Sequence, residues 1–362
     1  MGKTNRVQGE PVRRKVTIDD IARESGASRT TVSLVLRNKP GIGHETRQRV
    51  REVAEQLGYE QRGATNGAVE REQDVLNIGL VLRARKRDKL GALPGVNSFY
   101  SWVLAGVEAA ARQQRMNLLY STLPVDDHNE PLEFPDHVLG QRLDGVLLVG
   151  SFSEATIAEV ASRGHEAIVL LDAPAGAHLF DSIGADGQSG TYVATRHLIE
   201  HGHRQIAYIG PGPGGDPNFD ARQAGYLMAL RETKLEPIYG RMTKDNAAKP
   251  TEELLYDNRG ITALVACNDV FAINAIQVAK KLGLRVPDDL SIIGFDDIDL
   301  SAQITPALTT MAVDKITMGR LAVQTLAFRR AWPDAAKFAI VTQTELLVRN
   351  SVGPVRRPQT ET

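Results

Sequence analysis

Apolar residues recur at two different periods along the chain, and the change of period divides it. Over residues 16–59, VTIDDIARESGASRTTVSLVLRNKPGIGHETRQRVREVAEQLGY, the period is helical. Ile18, Ile21 and Ala22 share one face, Val32, Val35 and Leu36 a second, and Val50, Val53, Ala54 and Leu57 a third. Gly26, the run Asn38, Lys39, Pro40, Gly41, and then Gly58 interrupt these faces. The pattern predicts three short helices, the last over 45–57. Beyond Arg71 continuous apolar runs take over, and 75–82, 117–120, 143–149, 167–171, 205–209, 262–266 and 291–294 read as strands. Helical periodicity fills 98–114, 157–162, 189–201, 221–233, 270–282 and 316–330. Such alternation predicts parallel sheets covered by helices on both faces, and roughly ten strands call for two sheets.

Local chemistry sharpens the first stretch. Thr17 can accept an orphan backbone N–H at a helix start, and Asp20 favours that helix's positive end. Gly26 supplies a turn expected at positive φ, where a side chain would clash. Ser28 can cap the second helix, which then turns Arg29, Thr30 and Ser33 outward with Leu34 beside them. Helix, glycine turn, helix is a DNA-reading arrangement, with the start of the second helix at base edges in the major groove. Arg29 can fork onto guanine O6 and N7, a contact worth about 1–3 kcal/mol of discrimination; Thr30 stands next to it. Ser28, Thr31, Ser33, Asn38 and Arg47 are placed for phosphates, which fix register without reading sequence. Thr17 completes the expected DNA-contacting set. The plainer alternative is a three-helix bundle with a solvated polar face. Charge argues against it. The formal net charge is −1, yet residues 1–62 hold 13 Lys+Arg against 8 Asp+Glu, a net of +5, leaving −6 on the remainder.

Thr17-Ile18-Asp19-Asp20-Ile21-Ala22, Gly26, Ser28, Thr31-Val32-Ser33, Val35-Leu36, Glu45-Thr46-Arg47, Val50 and Leu57-Gly58-Tyr59 form a more specific signature. On these residues the stretch closely resembles the N-terminal domain of the lactose-repressor/galactose-repressor (LacI/GalR) family of bacterial transcription regulators. Three positions depart from the family pattern. Leu34 replaces the usual arginine after Thr-Val-Ser, which shifts base reading onto Arg29 and Thr30 and could bring Leu34 to a thymine methyl. Gly43 replaces the serine that caps the third helix. Past Tyr59, the family's hinge helix carries a leucine that wedges into the minor groove. Here Ala68 stands at that position, Gly63 and Gly67 disfavour a helix, and Val69 is the one candidate wedge. A looser linker with little DNA kinking is therefore expected.

The α/β alternation likewise resembles the family's effector domain, a periplasmic-binding-protein-like pair of lobes. Matching segments are Gly202-His203-Arg204-Gln205-Ile206-Ala207, Arg222 with Gly225-Tyr226, Asn268-Asp269, Ile293-Gly294-Phe295-Asp296-Asp297 and Thr305-Pro306-Ala307-Leu308-Thr309-Thr310. The resemblance implies three crossings between lobes, near Ala173, Thr310 and Val341, and ligand contact by Phe99, Arg222, Asn268 and Asp296. The residues themselves suit that role. Asp296 and Asn268 follow strands, where ligands of open α/β sheets sit. Arg222 adds a forked donor, and Phe99 and Tyr100 an apolar face for a sugar or base. Singly, Asp296 reads equally as a turn cap, Asn268 as a helix cap and Arg222 as half of a structural ion pair. The basic run 83–89 reads as a solvated loop or as an aid to an anionic effector.

Other features narrow the function. The single cysteine, Cys267, excludes an intrachain disulfide framework and fits a reducing cytoplasm. No apolar run is long enough to span a bilayer, and the N-terminus has no apolar core of a secretory signal, against an exported solute-binding protein. Residues 210–215, GPGPGG, lack the Gly-Lys-Ser/Thr ending of a phosphate loop. His201 and His203 are poorly spaced for a shared metal, and no nucleophile accompanies Asp296-Asp297, so no metal, cofactor or enzymatic activity is expected. The polar tail lacks the heptads of a tetramerising coiled coil. The expected layout is a basic tail over 1–14, a helix-turn-helix head over 15–60, and a linker over 61–73. An effector-binding and dimerisation body follows over 74–350, with lobe 1 about 74–173 and 311–341 and lobe 2 about 174–310 and 342–350. A flexible tail covers 351–362. The expected function is a cytoplasmic, homodimeric regulator, commonly a repressor. It would bind an approximately palindromic double-stranded operator under control of a small effector, a sugar or sugar derivative first and a purine or nucleoside as the alternative.

Overall fold

Each helix of the N-terminal stretch begins where the chain can satisfy its orphan amide groups. Helix α1 (Ile18–Ser25) opens with a capping box: the Thr17 hydroxyl accepts from the Asp20 N–H, and the Asp20 carboxylate accepts from the Thr17 N–H at 2.8 Å. Gly26 ends it in the left-handed region, at φ 66°. Helix α2 (Arg29–Leu36) starts at Ser28, whose hydroxyl accepts from the Thr31 N–H at 3.1 Å. Helix α3 (His44–Gln56) starts at Gly43, which has no side chain to cap it. Ile21, Val32, Val35, Val50 and Ala54 form the shared core. The Arg49 Nε–H donates to the Ser25 carbonyl at 3.1 Å and ties α3 back to the turn.

The computed structural model describes residues 16–36, 42–57, 59, 75–85, 98–126, 129–165, 167–173, 179–214, 216–242 and 248–355. The chain divides into two units, 1–74 and 75–362. Asn38, Ala68, Val69, the 61–73 linker, residues 86–89 of the basic run and the ends at 1–14 and 356–362 lie outside the described residues.

In chain order the second unit holds β1 (Leu76–Arg85), α4 (Ser98–Gln113), β2 (Met116–Val125), α5 (Asp136–Leu139), β3 (Gly145–Val149), α6 (Glu154–Ser162), β4 (Ile168–Leu171) and β5 (Asp181–Ala185). Next come α7 (Gly187–Glu200), β6 (Ile206–Pro211), α8 (Pro217–Thr233), β7 (Ile238–Met242), α9 (Ala248–Asp257), β8 (Ala263–Ala266), α10 (Asp269–Lys281), β9 (Ser291–Asp296), α11 (Asp299–Gln303) and β10 (Thr309–Val313). Helix α12 (Lys315–Ala331), β11 (Ala339–Thr342) and β12 (Thr344–Leu347) complete it. The strands form two six-stranded sheets, ordered β11-β5-β4-β3-β1-β2 and β12-β10-β9-β8-β6-β7. Every described pairing between two of these strands is parallel except that of β12 with β10.

Continuous apolar strands are buried on both faces, as the run pattern predicts. In β3, Leu147 and Val149 join the core under α4 and α12, whereas Val146 and Leu148 pack with Val138, Leu139, Ile157 and Val160 of α5 and α6. Helices α4 and α12 approach at backbone distance. A Cβ on Gly319 would lie 2.2 Å from the Val103 carbonyl oxygen, so only glycine fits there.

The chain crosses between sheets at 185–187, 313–315 and 342–344. The first crossing comes later than the expected position near Ala173. Strand β5 lies parallel to β4 and stays in the first sheet. Its polar start is held inside because the Arg329 guanidinium donates to both Asp181 oxygens, at 2.7 and 2.8 Å. Residues 351–355, expected to be part of a flexible tail, are instead bound to the body. Ser351 is buried, and its hydroxyl donates to the Ile292 carbonyl and accepts from the Thr309 N–H, stitching 351–355 onto the second lobe.

Candidate effector cleft and DNA-reading face

Both sheets of the second unit aim their strand ends at one cleft of about 280 Å³. Phe99, Tyr100, Arg222, Asn268 and Asp296, singled out in the sequence, all line it. Phe99 and Tyr100 stand in the first turn of α4, with their rings edge to face at 5.2 Å. On the opposite lobe, Arg222 projects from α8, which is launched by its Asp216 N-cap and Pro217.

The Arg222 guanidinium is fixed on three sides. It donates to Asp296 Oδ1 at 2.8 Å and to the Cys267 carbonyl at 2.7 Å, and it stacks 3.9 Å from the centre of the Phe295 ring. Its Nε is buried and has no hydrogen-bond partner among the described residues. Burial raises the pKa of Asp296, opposed by the Arg222 and Lys315 cations. Asn268 caps α10 with its oxygen, which accepts from the Phe271 N–H at 3.0 Å. The ion-pair and helix-cap readings of Arg222 and Asn268 are therefore correct alongside their place in the cleft. Asp296 and its neighbour Asp297 have φ values of 105° and 50°, a costly conformation for residues bearing a Cβ. It turns the Asp296 carboxylate toward Arg222.

Four further polar residues complete the lining. Arg83, counted in the sequence with a loop, belongs to β1, which runs through Arg85 in register with β2. Its side chain pairs with Asp216 across the two lobes at 3.1 Å, the two being only 12% and 6% exposed. The Ser151 hydroxyl also donates to Asp216, at 3.0 Å. Tyr100 donates to Asp172 at 2.7 Å, and the Asn218 amide donates to the Asp172 backbone carbonyl at 3.0 Å. Burial pushes the Asp172 carboxyl up to about 7, with the Tyr100 hydrogen bond opposing the shift. Asp172 follows a strand and Asp216 precedes a proline, signals that the sequence carried. Nothing in it showed that they meet across a cleft. Pro211, expected in a glycine-rich loop, ends β6 and lines the cleft too, and the Gly214 N–H is held by the Asp220 carboxylate. His203 is a structural residue, bonded to Thr262 and to the Gly353 carbonyl.

In the first unit, α2 turns a polar face to solvent. Arg29 and Thr30 are exposed, and Arg29 lies 3.4 Å from Asp19 in an exposed pair of small energetic weight. Ser33 and Leu34 are half-buried beside them, and Leu34 is absent from the residues packed on the core. The Ser28 and Thr31 hydroxyls bond to each other at 2.8 Å, and the Thr17 hydroxyl donates to Asp20 at 2.7 Å. Thr17 and Ser28 thus serve first as caps. Arg47 is half-buried in the first turn of α3.

The sequence pattern of the lacI family of bacterial regulatory proteins matches residues 17–61, and that of a periplasmic binding protein-like domain matches residues 195–352. The ribose operon repressor of Haemophilus influenzae is 30% identical over 344 residues, covering 93% of this chain and 98% of its own length. The chain belongs to the lacI family. It is accordingly a DNA-binding transcription regulator. The repressor CytR of Escherichia coli is 29% identical over 341 residues, covering 92% of this chain and 96% of its own length. Among solved structures, a transcriptional regulator CelR–cellobiose complex matches with a TM-score of 0.65 at 26% identity, covering 93% of this chain and all of its own. A lacI-family regulator from Enterococcus faecium with bound ribose matches with a TM-score of 0.65 at 25% identity, covering 77% of this chain and all of its own. Among the described residues no helix is long and apolar enough to cross a membrane, and no group of three or more His, Cys, Asp or Glu could hold a metal ion.

Proposed function

We propose that this lacI-family member is a repressor whose affinity for an approximately palindromic operator responds to a sugar or sugar derivative in the cleft. One observation carries the reading: five residues from separate parts of the chain converge on a single cleft at the strand ends of both lobes. Asp296 accepts from hydroxyls, Arg222 and Asn268 donate, and the Phe99 and Tyr100 rings cover an apolar ring face. The relatives named for ribose and cellobiose support a sugar. Phe219 and Phe271 also line the cleft and suit a flat base, which favours a nucleoside as the second reading.

On the DNA side, Arg29 and Thr30 read bases and Leu34 meets a thymine methyl, while Ser28, Thr31, Ser33, Asn38 and Arg47 hold phosphates. Thr17 acts through the start of α1. The protein works in the cytoplasm as a homodimer, each copy reading one half-site, and its body performs no catalysis. The 61–73 linker, with Val69 as its one candidate wedge, bends DNA little. Strong operator bending that Val69→Ala abolishes would refute that.

A thermal-shift screen of sugars and nucleosides, repeated with DNA from the protein's own upstream region, tests the whole reading. The expected result is a stabilising ligand whose affinity changes when operator is present, with a coupling of about 1–3 kcal/mol. Absence of salt-dependent binding to any palindrome in that DNA, together with turnover of a bound sugar, would overturn it.

A further inference from the structure

Lys315 is the first residue of α12 and only 8% exposed. A cation there opposes the positive end of the helix dipole, and its ammonium must leave water. Its surroundings explain the placement. The three Nζ hydrogens meet three backbone carbonyls: Asp296 at 2.6 Å, Asp297 at 3.0 Å and Val313 at 3.2 Å. That saturates an ammonium. Two of those carbonyls belong to the consecutive left-handed residues that present the Asp296 carboxylate to the cleft.

The rest of that turn is gripped from other directions. Arg349 holds the Asp297 carboxylate at 2.6 Å, and Asp269 accepts from the Ile298 N–H at 2.9 Å. Those partners lie in the second lobe. Lys315 alone among them stands on the segment that crosses to the first lobe, at the head of the helix packed on α4. Its ammonium is also 6.0 Å from the centre of the Phe99 ring, on the opposite wall of the cleft.

We propose that Lys315 is a positioning residue that holds the Asp296–Asp297 turn in its strained form and couples occupancy of the cleft to the lobe crossing at 313–315. The proposal rests on the cleft being the effector site. A ligand drawing on Asp296 pulls on a turn whose carbonyls are fastened to the crossing segment, so a shift of the turn moves the start of α12. Asp296 supplies the contact, and Lys315 transmits it.

The test uses the full chain, as wild type, Lys315→Met and Lys315→Gln. The glutamine retains two N–H donors and should behave as an intermediate. Three readouts apply: hydrogen exchange over 294–300, binding of D-ribose, D-glucose, cellobiose and adenosine, and affinity for an operator duplex selected with wild type. K315M should speed exchange at 294–300 and weaken whichever probe binds by tenfold or more. Ligand-free operator affinity should stay within twofold, and the effect of the bound probe on operator affinity should be lost. Unchanged exchange over 294–300 in both variants would overturn the proposal. So would an equal loss of ligand-free operator binding, the mark of general unfolding. Were K315M not to fold, K315Q carries the same criteria. Should wild type bind none of the four probes, the sugar and nucleoside readings fail, and the exchange measurement still decides whether Lys315 holds the turn.

Discussion

Asp296 and Arg222 form a buried pair joined through Asp296 Oδ1, and the buried Arg222 Nε has no hydrogen-bond partner among the described residues. Asp296→Asn keeps the shape and removes the charge. Hydrogen bonds to a charged group contribute about 1.5–3 kcal/mol, so ligand affinity by titration calorimetry should fall by roughly 10- to 100-fold. Ligand-free operator binding should persist. Asp172 offers a pH test. Its folded pKa is raised from 3.8 to about 7, chiefly by burial. The native state therefore binds the proton more tightly than the unfolded chain, and this contribution to stability is full below the unfolded value and lost as pH rises through about 7. Asp172→Asn can still accept from Asn218 and donate to the Tyr100 oxygen. In calorimetric melts, the wild type should lose more stability than D172N between pH 4 and pH 7.5.

Elements differ in how plainly the sequence announced them. The three helices of the head and the strands of continuous aliphatic residues were legible, because period and turn residues agree with their final environment. Strand β5 was not: it opens with Asp181 and Ser182, and only the distant Arg329 makes that start tolerable inside a sheet. Strand β12 and residues 351–355 were missed for a similar reason, since their bonds go to strands far away in sequence. In the cleft, Asn268 and Asp296 could be named as lining residues from their place after strands. The Arg83–Asp216 and Tyr100–Asp172 pairs required the lobes to be assembled. Where a local signal was absent, the structure confirms the lack: Gly43 opens α3 without a cap. Its φ of −56° and ψ of 148° suit serine, and a Cβ there has open space. Gly43→Ser should add about 0.5–1 kcal/mol, part cap and part reduced unfolded-state entropy. Slower amide exchange across α3 would show it.

At the scale of the whole body, polar ties cross the cleft at several points. Arg83 and Ser151 reach Asp216, Asn218 reaches Asp172, and Trp102 donates to Asp299 at 3.0 Å. These ties set the resting separation of the lobes. Arg83→Met should leave each lobe folded and widen the distribution of lobe separations, read as a larger radius of gyration in small-angle scattering of the ligand-free protein. An unchanged radius would show that the remaining ties suffice.

The three crossings make each lobe a mosaic of distant segments, and that has a consequence during synthesis. The head emerges first as a unit with its own core. The first lobe waits for α12, which supplies Met318, Ala322 and Leu326 to its interior, and the second waits for β12 and Ser351. A ribosome therefore releases a DNA-reading head long before either half of the sensor can close. A premature stop between the head and β12 removes regulation in a single stroke while leaving the core of the DNA-reading head whole.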